Sequence, residues 1–271
     1  MKTIWKDIQK HLLSGVSFMM PVVVAGGVIL AVSLLGATQT ETGLVPNGPL
    51  LTYLNQLGKA GMAMMIPVFA AYISYSVAGK PGLTPGFILG YIANNAIMIN
   101  GVEVKAGFLG ALILGLLAGY MAKWMKGLKV GKTIRSIMPI LVIPISTVLV
   151  LGLAYYFIIG YPISFLMQAL SDLMVTLNGS GKAVLAVFMG FFSEIDFGGP
   201  VTKAVSMFTL SMINEGIMEP NGIFRILVAV PPIGIFLSTI IAKKKYSEEE
   251  RDNAKAVGIM GCLGITEGAI P

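Results

Sequence analysis

AVLAVFMGFFSEIDFGGPVTKAVSMFTLSMIN, residues 183–214, decides the fold. Two apolar runs of 11 residues, 183–193 and 204–214, flank a polar core that holds Glu194, Asp196, Gly198, Gly199, Pro200 and Lys203. A helix needs about 17–25 apolar residues to cross hydrocarbon, so neither run crosses unaided. Short apolar segments interrupted by Gly and Pro are the pattern of discontinuous or re-entrant helices, whose freed backbone groups coordinate a solute at mid-depth. The stretch predicts a helical hairpin. GITEGAIP, residues 264–271, repeats the theme with Glu267 among Gly, Pro and apolar neighbours. A charge at the bilayer centre costs about 2.5–3.5 kcal/mol on insertion scales. Asp196 and Glu267 are therefore expected to face a protein-lined cavity, and they are the leading candidates for a substrate site.

The rest of the chain supports the membrane setting. Of 271 residues, 55% are hydrophobic and 12% charged, with a mean hydropathy of +0.82. A soluble domain of this length needs far more charge on its surface. The expected fold is all-α: a polytopic integral membrane protein with broken or re-entrant hairpins. The net charge of +6 sits in short loops between apolar runs, where it sets topology; nucleic acid is excluded as a partner. The lone Cys262 and lone His11 support no disulfide, metal site or His-based triad. Cys262 reads as a packing residue, His11 as interfacial, and Met62, Met64 and Met65 as packing residues, not a metal path.

Charges punctuate the chain and their gaps count the spans. Leu12 to Thr40 is uncharged, too long for a cleaved signal segment, and reads as a retained first span. Lys59 to Lys80 encloses 20 uncharged residues, Lys80 to Glu103 encloses 22, and Lys105 to Lys123 encloses 17. Lys123, Lys126, Lys129, Lys132 and Arg135 form an acid-free loop, the clearest cytoplasmic signal. Lys2, Lys6 and Lys10 mark the N-terminus as cytoplasmic too, so an even number of crossings must separate the two; four satisfy the rule. Ser136 to Ser171 is 36 uncharged residues, and Gly160, Tyr161 and Pro162 are expected to end a helix within it. If that helix exits near Phe157 and Ile226 to Ala242 returns to Lys243, Lys244 and Lys245, the piece between must enter and leave on one side. Lys243 to Lys255 reads as a solvated loop or interfacial helix, and 256–271 as apolar and Gly-rich.

At these residues a family resemblance becomes specific. HLLSGVSFMMPVVVAGGVILA, PGLTPGFILGYIA, GFLGALILGLLAGY, DFGGPVTKA, VAVPPIG and GITEGAIP together resemble the membrane-embedded C component of fructose-type enzyme II permeases of the bacterial phosphoenolpyruvate-dependent sugar phosphotransferase system. DFGGPVTKA and GITEGAIP carry the most weight. Thr202 stands where the family usually has Asn before the Lys, and the family continues past GITEGAIP with further helices, so the chain reads as C-terminally truncated.

The resemblance implies group translocation. The C component binds fructose or a related sugar, carries it inward and presents a hydroxyl to a phosphocysteine on a partner B domain. The phosphoryl carrier is then not on this chain, no cofactor is needed here, and phosphoenolpyruvate donates indirectly through the B and A components. It further implies a homodimer in the bacterial inner membrane. Residues 1–158 would be scaffold helices, and 159–271 the first part of a transport domain with hairpins near 183–214 and 256–271.

The site chemistry can be stated from the residues. A neutral sugar needs directional acceptors and donors to replace its hydration; carboxylates and the backbone at a broken helix supply them. Glu267 with Thr266 is the primary binding pair, and Glu267 is also a candidate base for the hydroxyl that is phosphorylated; the alternative is a carboxylate that ties hairpin backbone together. Asp196 and Lys203 either contact sugar or pair with each other to lower their joint insertion cost. Gly198 and Gly199 permit close backbone approach. Glu194 is a second acceptor or a rim residue. Asn94 and Asn95 line the path or, more commonly for such amides, bond between helices. An ion-coupled secondary transporter and an inactive membrane fragment are the competing functions.

Overall fold

A computed structural model describes residues 2–40, 43–99, 101–179, 181–194, 200–214, 217–262 and 264. Contacts divide the chain into two compact units, Met1–Met167 and Gln168–Pro271.

The first unit opens with α1 (Lys2–Ser33), a hairpin of β1 (Thr38–Thr40) and β2 (Gly43–Val45), α2 (Pro49–Ala78), α3 (Lys80–Asn94), a hairpin of β3 (Ile97–Ile99) and β4 (Val102–Val104), and α4 (Gly107–Lys126). Lipid offers helices no hydrophobic drive to associate, so close backbone approach at small residues takes its place. On α3 the small residues fall four apart. A Cβ on Gly82 would lie 2.6 Å from the Ser74 carbonyl oxygen, one on Gly86 2.7 Å from Ser74 Cβ, and one on Gly90 2.6 Å from Ala70 Cβ. The same device joins α1 to α2 at Gly26 and Gly61, and α4 to α2 at Gly115 and Gly119. Met65, Ile66, Phe69 and Ile73 fill the resulting core, and Phe69 stacks on Phe108 with ring centroids 4.9 Å apart.

These contacts fix directions. Gly15 meets Phe69 and Ile73 while Gly58 meets Leu30, so α1 is antiparallel to α2. α3 is antiparallel to α2, and α4, with Gly115 at Ala70 and Gly119 at Val77, runs parallel to it. The start of α1 and the ends of α2 and α4 therefore share one end of the unit. There His11 Nδ1 lies 2.8 Å from Ser76 Oγ, its ring meets Tyr120 edge-on, and Lys126 Nζ donates to the Ala78 carbonyl at 3.4 Å. The two basic segments thus lie on the same side, as the even count requires. Tyr53 and Tyr91 sit toward the other end, Tyr75, Tyr120 and Trp124 toward this one, all exposed. From Tyr53 to Tyr75 is roughly 33 Å of helix, close to a bilayer's hydrocarbon thickness.

Three expectations need correcting. α1 ends at Ser33, short of Thr40. The third traverse is not a 22-residue span: α3 has 15 residues and the rest is a hairpin of β3 and β4 that joins it to α4; the hairpin's register Ile97↔Val104 and Ile99↔Val102 leaves a two-residue turn with Gly101 at φ 78°. Nor does Pro162 end a helix. α5 (Lys132–Ile137), α6 (Ile143–Ala154) and α7 (Gly160–Gly179) are joined by π-helical turns at Met138–Val142 and Tyr155–Ile159, and Ile134–Ala169 is one apolar stretch of 36 residues. The Gly160 amide bonds the Tyr155 carbonyl, and the Ile143 amide bonds that of Met138. Each widened turn lies just ahead of a proline, Pro144 or Pro162, and absorbs the ring and missing amide that would otherwise break the helix.

The second unit holds α8 (Lys182–Glu194), α9 (Pro200–Asn214), α10 (Glu219–Ile241) and α11 (Glu248–Cys262), with a 3-10 turn at Lys243–Lys245. Neither α8, at 13 residues, nor α9, at 15, reaches spanning length. Among the described helices five are long and apolar enough to cross. Outward apolar side chains such as Phe157, Phe165, Val187 and Ile241, at 82, 73, 74 and 84% exposure, form a coat that only lipid or protein can cover.

Candidate functional site

α8 and α9 pack on each other and both pack on α10. At their neck the Thr202 hydroxyl donates to the Ser193 carbonyl. The family-divergent residue is thereby a strut between the two helices. Thr209 Oγ1 donates to the Ser206 carbonyl at 3.0 Å and to Asn221 Oδ1 at 3.5 Å, tying α9 to the first turn of α10. Gly190 admits Leu227, which lies 3.3 Å from where its Cβ would stand, so α8 sits close on α10.

Glu194 is the last residue of α8, and both its carboxylate oxygens are shielded from solvent. The Ser193 hydroxyl beside it is buried without a hydrogen-bond partner among the described residues. Lys203 lies in the first turn of α9. Asp196, Gly198, Gly199, Thr266 and Glu267 lie outside the described residues.

α10 carries Pro231 and Pro232 inside it. They remove the amides that would bond the Leu227 and Val228 carbonyls, which must then find other donors. α11 returns antiparallel along α10: Gly258 packs on Phe236, Gly261 on Pro232 and Ile233, and a Cβ on Gly264 would stand 3.9 Å from an Arg225 guanidinium nitrogen. GITEGAIP thus begins beside Arg225, roughly 27 Å of helix from Lys243. Arg225 was not among the residues singled out from sequence, which bounded this span at Ile226 and so left it outside. The structure starts α10 at Glu219, with Pro220 in its first turn, the position proline favours. Arg225 therefore lies within the apolar span, where it lines a groove of about 540 Å³ otherwise formed by Ile226, Ala229, Val230, Ile233, Gly234 and Leu237. A charge amid an apolar run was the missed signal.

Other sequence candidates resolve into packing. Asn95 Nδ2 donates to the Tyr91 carbonyl at 2.7 Å, within its own helix end, and Asn94 Oδ1 is buried without a partner among the described residues. Asn55 does bond between helices, its Nδ2 donating to Ser33 Oγ at 2.9 Å. Met65 is fully buried. Cys262 is not a packing residue: it is exposed in the last turn of α11.

Lipid-length helices in both units, with short helices and paired prolines in the second, define a polytopic membrane protein. Comparison with known proteins sharpens this. Residues 13–271 match the model of the phosphotransferase system EIIC family, and the chain belongs to that family. It is 39% identical over 278 aligned positions to the fructose-specific EIIC component of Haloferax volcanii, covering 98% of this chain and 74% of that protein. It is 38% identical to the fructose-like permease IIC component 2 of Escherichia coli, covering 99% and 72%. It is 32% identical to the fructose-specific EIIABC component of Bacillus subtilis, covering 97% and 41%. No solved structure matches. The chain is a sugar-translocating membrane component of a phosphotransferase system.

Proposed function

We propose that this chain binds fructose or a closely related sugar, carries it inward across a bacterial inner membrane, and holds it for phosphorylation by a B component that is itself charged through an A component from phosphoenolpyruvate. The observation that carries the reading is the return of α11 along α10, which brings the start of GITEGAIP to Arg225 inside a spanning helix. Glu267 and Thr266 bind sugar hydroxyls, with Asp196, Gly198, Gly199, Lys203 and Glu194 completing the cradle at the neck of α8 and α9. In the transfer step the sugar hydroxyl oxygen attacks phosphorus, the S–P bond of the B component's phosphocysteine breaks as O–P forms, the thiolate leaves, and Glu267 takes the hydroxyl proton. No cofactor and no phosphoryl-carrying residue is assigned to this chain. The relatives that carry B or A components in one polypeptide with a C component support these partners.

The shared basic end of α1 and α4 faces the cytoplasm, with the N-terminus. Residues 1–158 act as scaffold, 159–271 as the moving transport part, and two copies pair. The test is uptake of labelled fructose into membrane vesicles. Fructose phosphate formed only when phosphoenolpyruvate and the soluble phosphocarriers are supplied is the expected result. Unmodified sugar accumulating on an H⁺ or Na⁺ gradient would replace the reading with a secondary transporter, and absence of thermal stabilisation by any hexose would replace it with an inactive fragment.

A further inference from the structure

A cleft of about 380 Å³ lies where the end of α10 meets the start of α11. Its floor is Phe236, Thr239 and Ile240 from the last turns of the spanning helix; its rim is Lys243, Glu248, Arg251, Asp252 and Lys255. Hydrogen bonds fix the turn between the two helices. Tyr246 and Ser238 hydroxyls meet at 2.9 Å, tying the connecting turn back onto α10. Ser247 and Glu250 form a reciprocal capping box at the start of α11: the Ser247 amide donates to a Glu250 carboxylate oxygen at 2.7 Å and the Glu250 amide to Ser247 Oγ at 3.2 Å. Arg251 Nε donates to the Ser247 carbonyl at 3.3 Å.

The rim charges do not cancel. Lys255 is paired with Asp252 at 2.8 Å. Among the described residues no carboxylate pairs with Lys243 or Arg251; Lys244 and Lys245 add two cations beside the rim and Glu249 and Glu250 two acids, so residues 243–255 carry five cations against four acids. Glu248 is the one further acid on the rim, in the first turn of α11, where the helix dipole stabilises it. Below the rim the surface turns apolar at once, and Ile240 and Ile241 continue it outward at 57% and 84% exposure. Cations at the end of a membrane-spanning helix, directly above an apolar floor, match one ligand: a phosphodiester headgroup whose acyl chains lie against the helix.

We propose that this cleft binds an anionic phospholipid, with Lys243 and Arg251 on the phosphodiester and the acyl chains over Phe236, Ile240 and Ile241. The proposal needs only the membrane setting and stands apart from the sugar reading.

The test compares protein reconstituted in phosphatidylglycerol-containing and pure phosphatidylcholine nanodiscs. Retained lipid is counted by native mass spectrometry, and thermal unfolding is measured in parallel. Phosphatidylglycerol is expected to be retained selectively and to raise the unfolding temperature. Selectivity is expected to fall about five-fold for Lys243→Gln or Arg251→Gln alone and more for the double variant, while Lys129→Gln, in the other basic loop, leaves it unchanged. Equal retention of the two lipids, or full selectivity in the double variant, overturns the proposal. So does equal protection by inorganic phosphate, which would mark a simple anion site. Double-variant loss of crosslinking to a B component with lipid selectivity intact would make the cleft a protein-docking surface instead. Arg251→Lys, which keeps the charge, holds selectivity if the charge is what acts and so separates lipid loss from misfolding.

Discussion

The two units solve the same solvent problem in opposite ways. In the first, α2, α3 and α4 meet backbone to backbone: half of the most apolar stretch of α4 and 44% of that of α2 are buried, against 28% for α1, and glycines four apart on α3 leave no room for a methyl group. In the second, α10 buries only 22% of its window, α8 and α9 are too short to cross, and the polar groups cluster at helix ends and prolines. Close packing makes the first unit stiff. Interrupted backbone ladders in the second unit leave carbonyls free to take other partners, which close packing in the first does not.

The largest expected effect falls in the second unit. Glu267→Gln is expected to lower sugar phosphorylation at least about 100-fold if the carboxylate is both acceptor and base, with membrane insertion intact; near-normal uptake would remove Glu267 from the site. Arg225 comes next. Arg225→Gln is expected to weaken sugar binding about ten-fold or more, the scale of losing hydrogen bonds from a charged donor, and Arg225→Lys, which keeps the charge and loses the planar fork, is expected to recover only part of it. Full recovery in titration calorimetry would make Arg225 a topological charge and not a ligand.

The contrast is then tested on glycines. Gly86→Val is expected to destabilise the first unit by about 1–3 kcal/mol through overpacking, read as a lower unfolding temperature in detergent, because its Cβ meets Ser74 and Ala70 below 3 Å. Gly234→Ala, with open space around its Cβ, is expected to be neutral or slightly stabilising. Equal effects at both positions would erase the distinction between the units.

The smallest effect is a pH response. The Glu250 carboxyl is lowered from its ordinary 4.5 by hydrogen bonds from Ser247, and that of Asp252 from 3.8 by its bond to Lys255. A lowered carboxyl stabilises the folded form above its unfolded value and loses that stabilisation as pH falls through the folded one. The first turn of α11 is therefore expected to be indifferent to pH above about 4.5 and to fray below it. Amide exchange at residues 248–251 checks this, and Ser247→Ala is expected to bring the fraying to neutral pH.

Charge spacing made much of the first unit legible, because Lys and Arg cannot sit in hydrocarbon and so mark where helices end. The basic loop and the N-terminus came out on one side for that reason. What spacing concealed was backbone accommodation. Pro162 looks like a stop, yet a π-turn five residues long carries the helix past it, and nothing local in YYFII announces that. Asn100 with Gly101, between IMI and VEV, is a two-residue hairpin signal hidden inside an apolar run that reads as one span. In the second unit Glu194 was legible as an acid among apolar residues. Arg225 was missed because a span was drawn to begin after a charge instead of through it. Thr202 was noticed for departing from the family's pattern, but its bond to the Ser193 carbonyl depends on how α8 and α9 meet, which one strand of letters does not encode.

The exposed thiol in the last turn of α11 has a practical consequence. Cys262 is the single cysteine in the chain, five positions ahead of Glu267, so a maleimide dye or nitroxide will report from one known place without further engineering. Its brightness or spectral width, followed during sugar addition, turns any change around the end of α11 into a signal that can be timed.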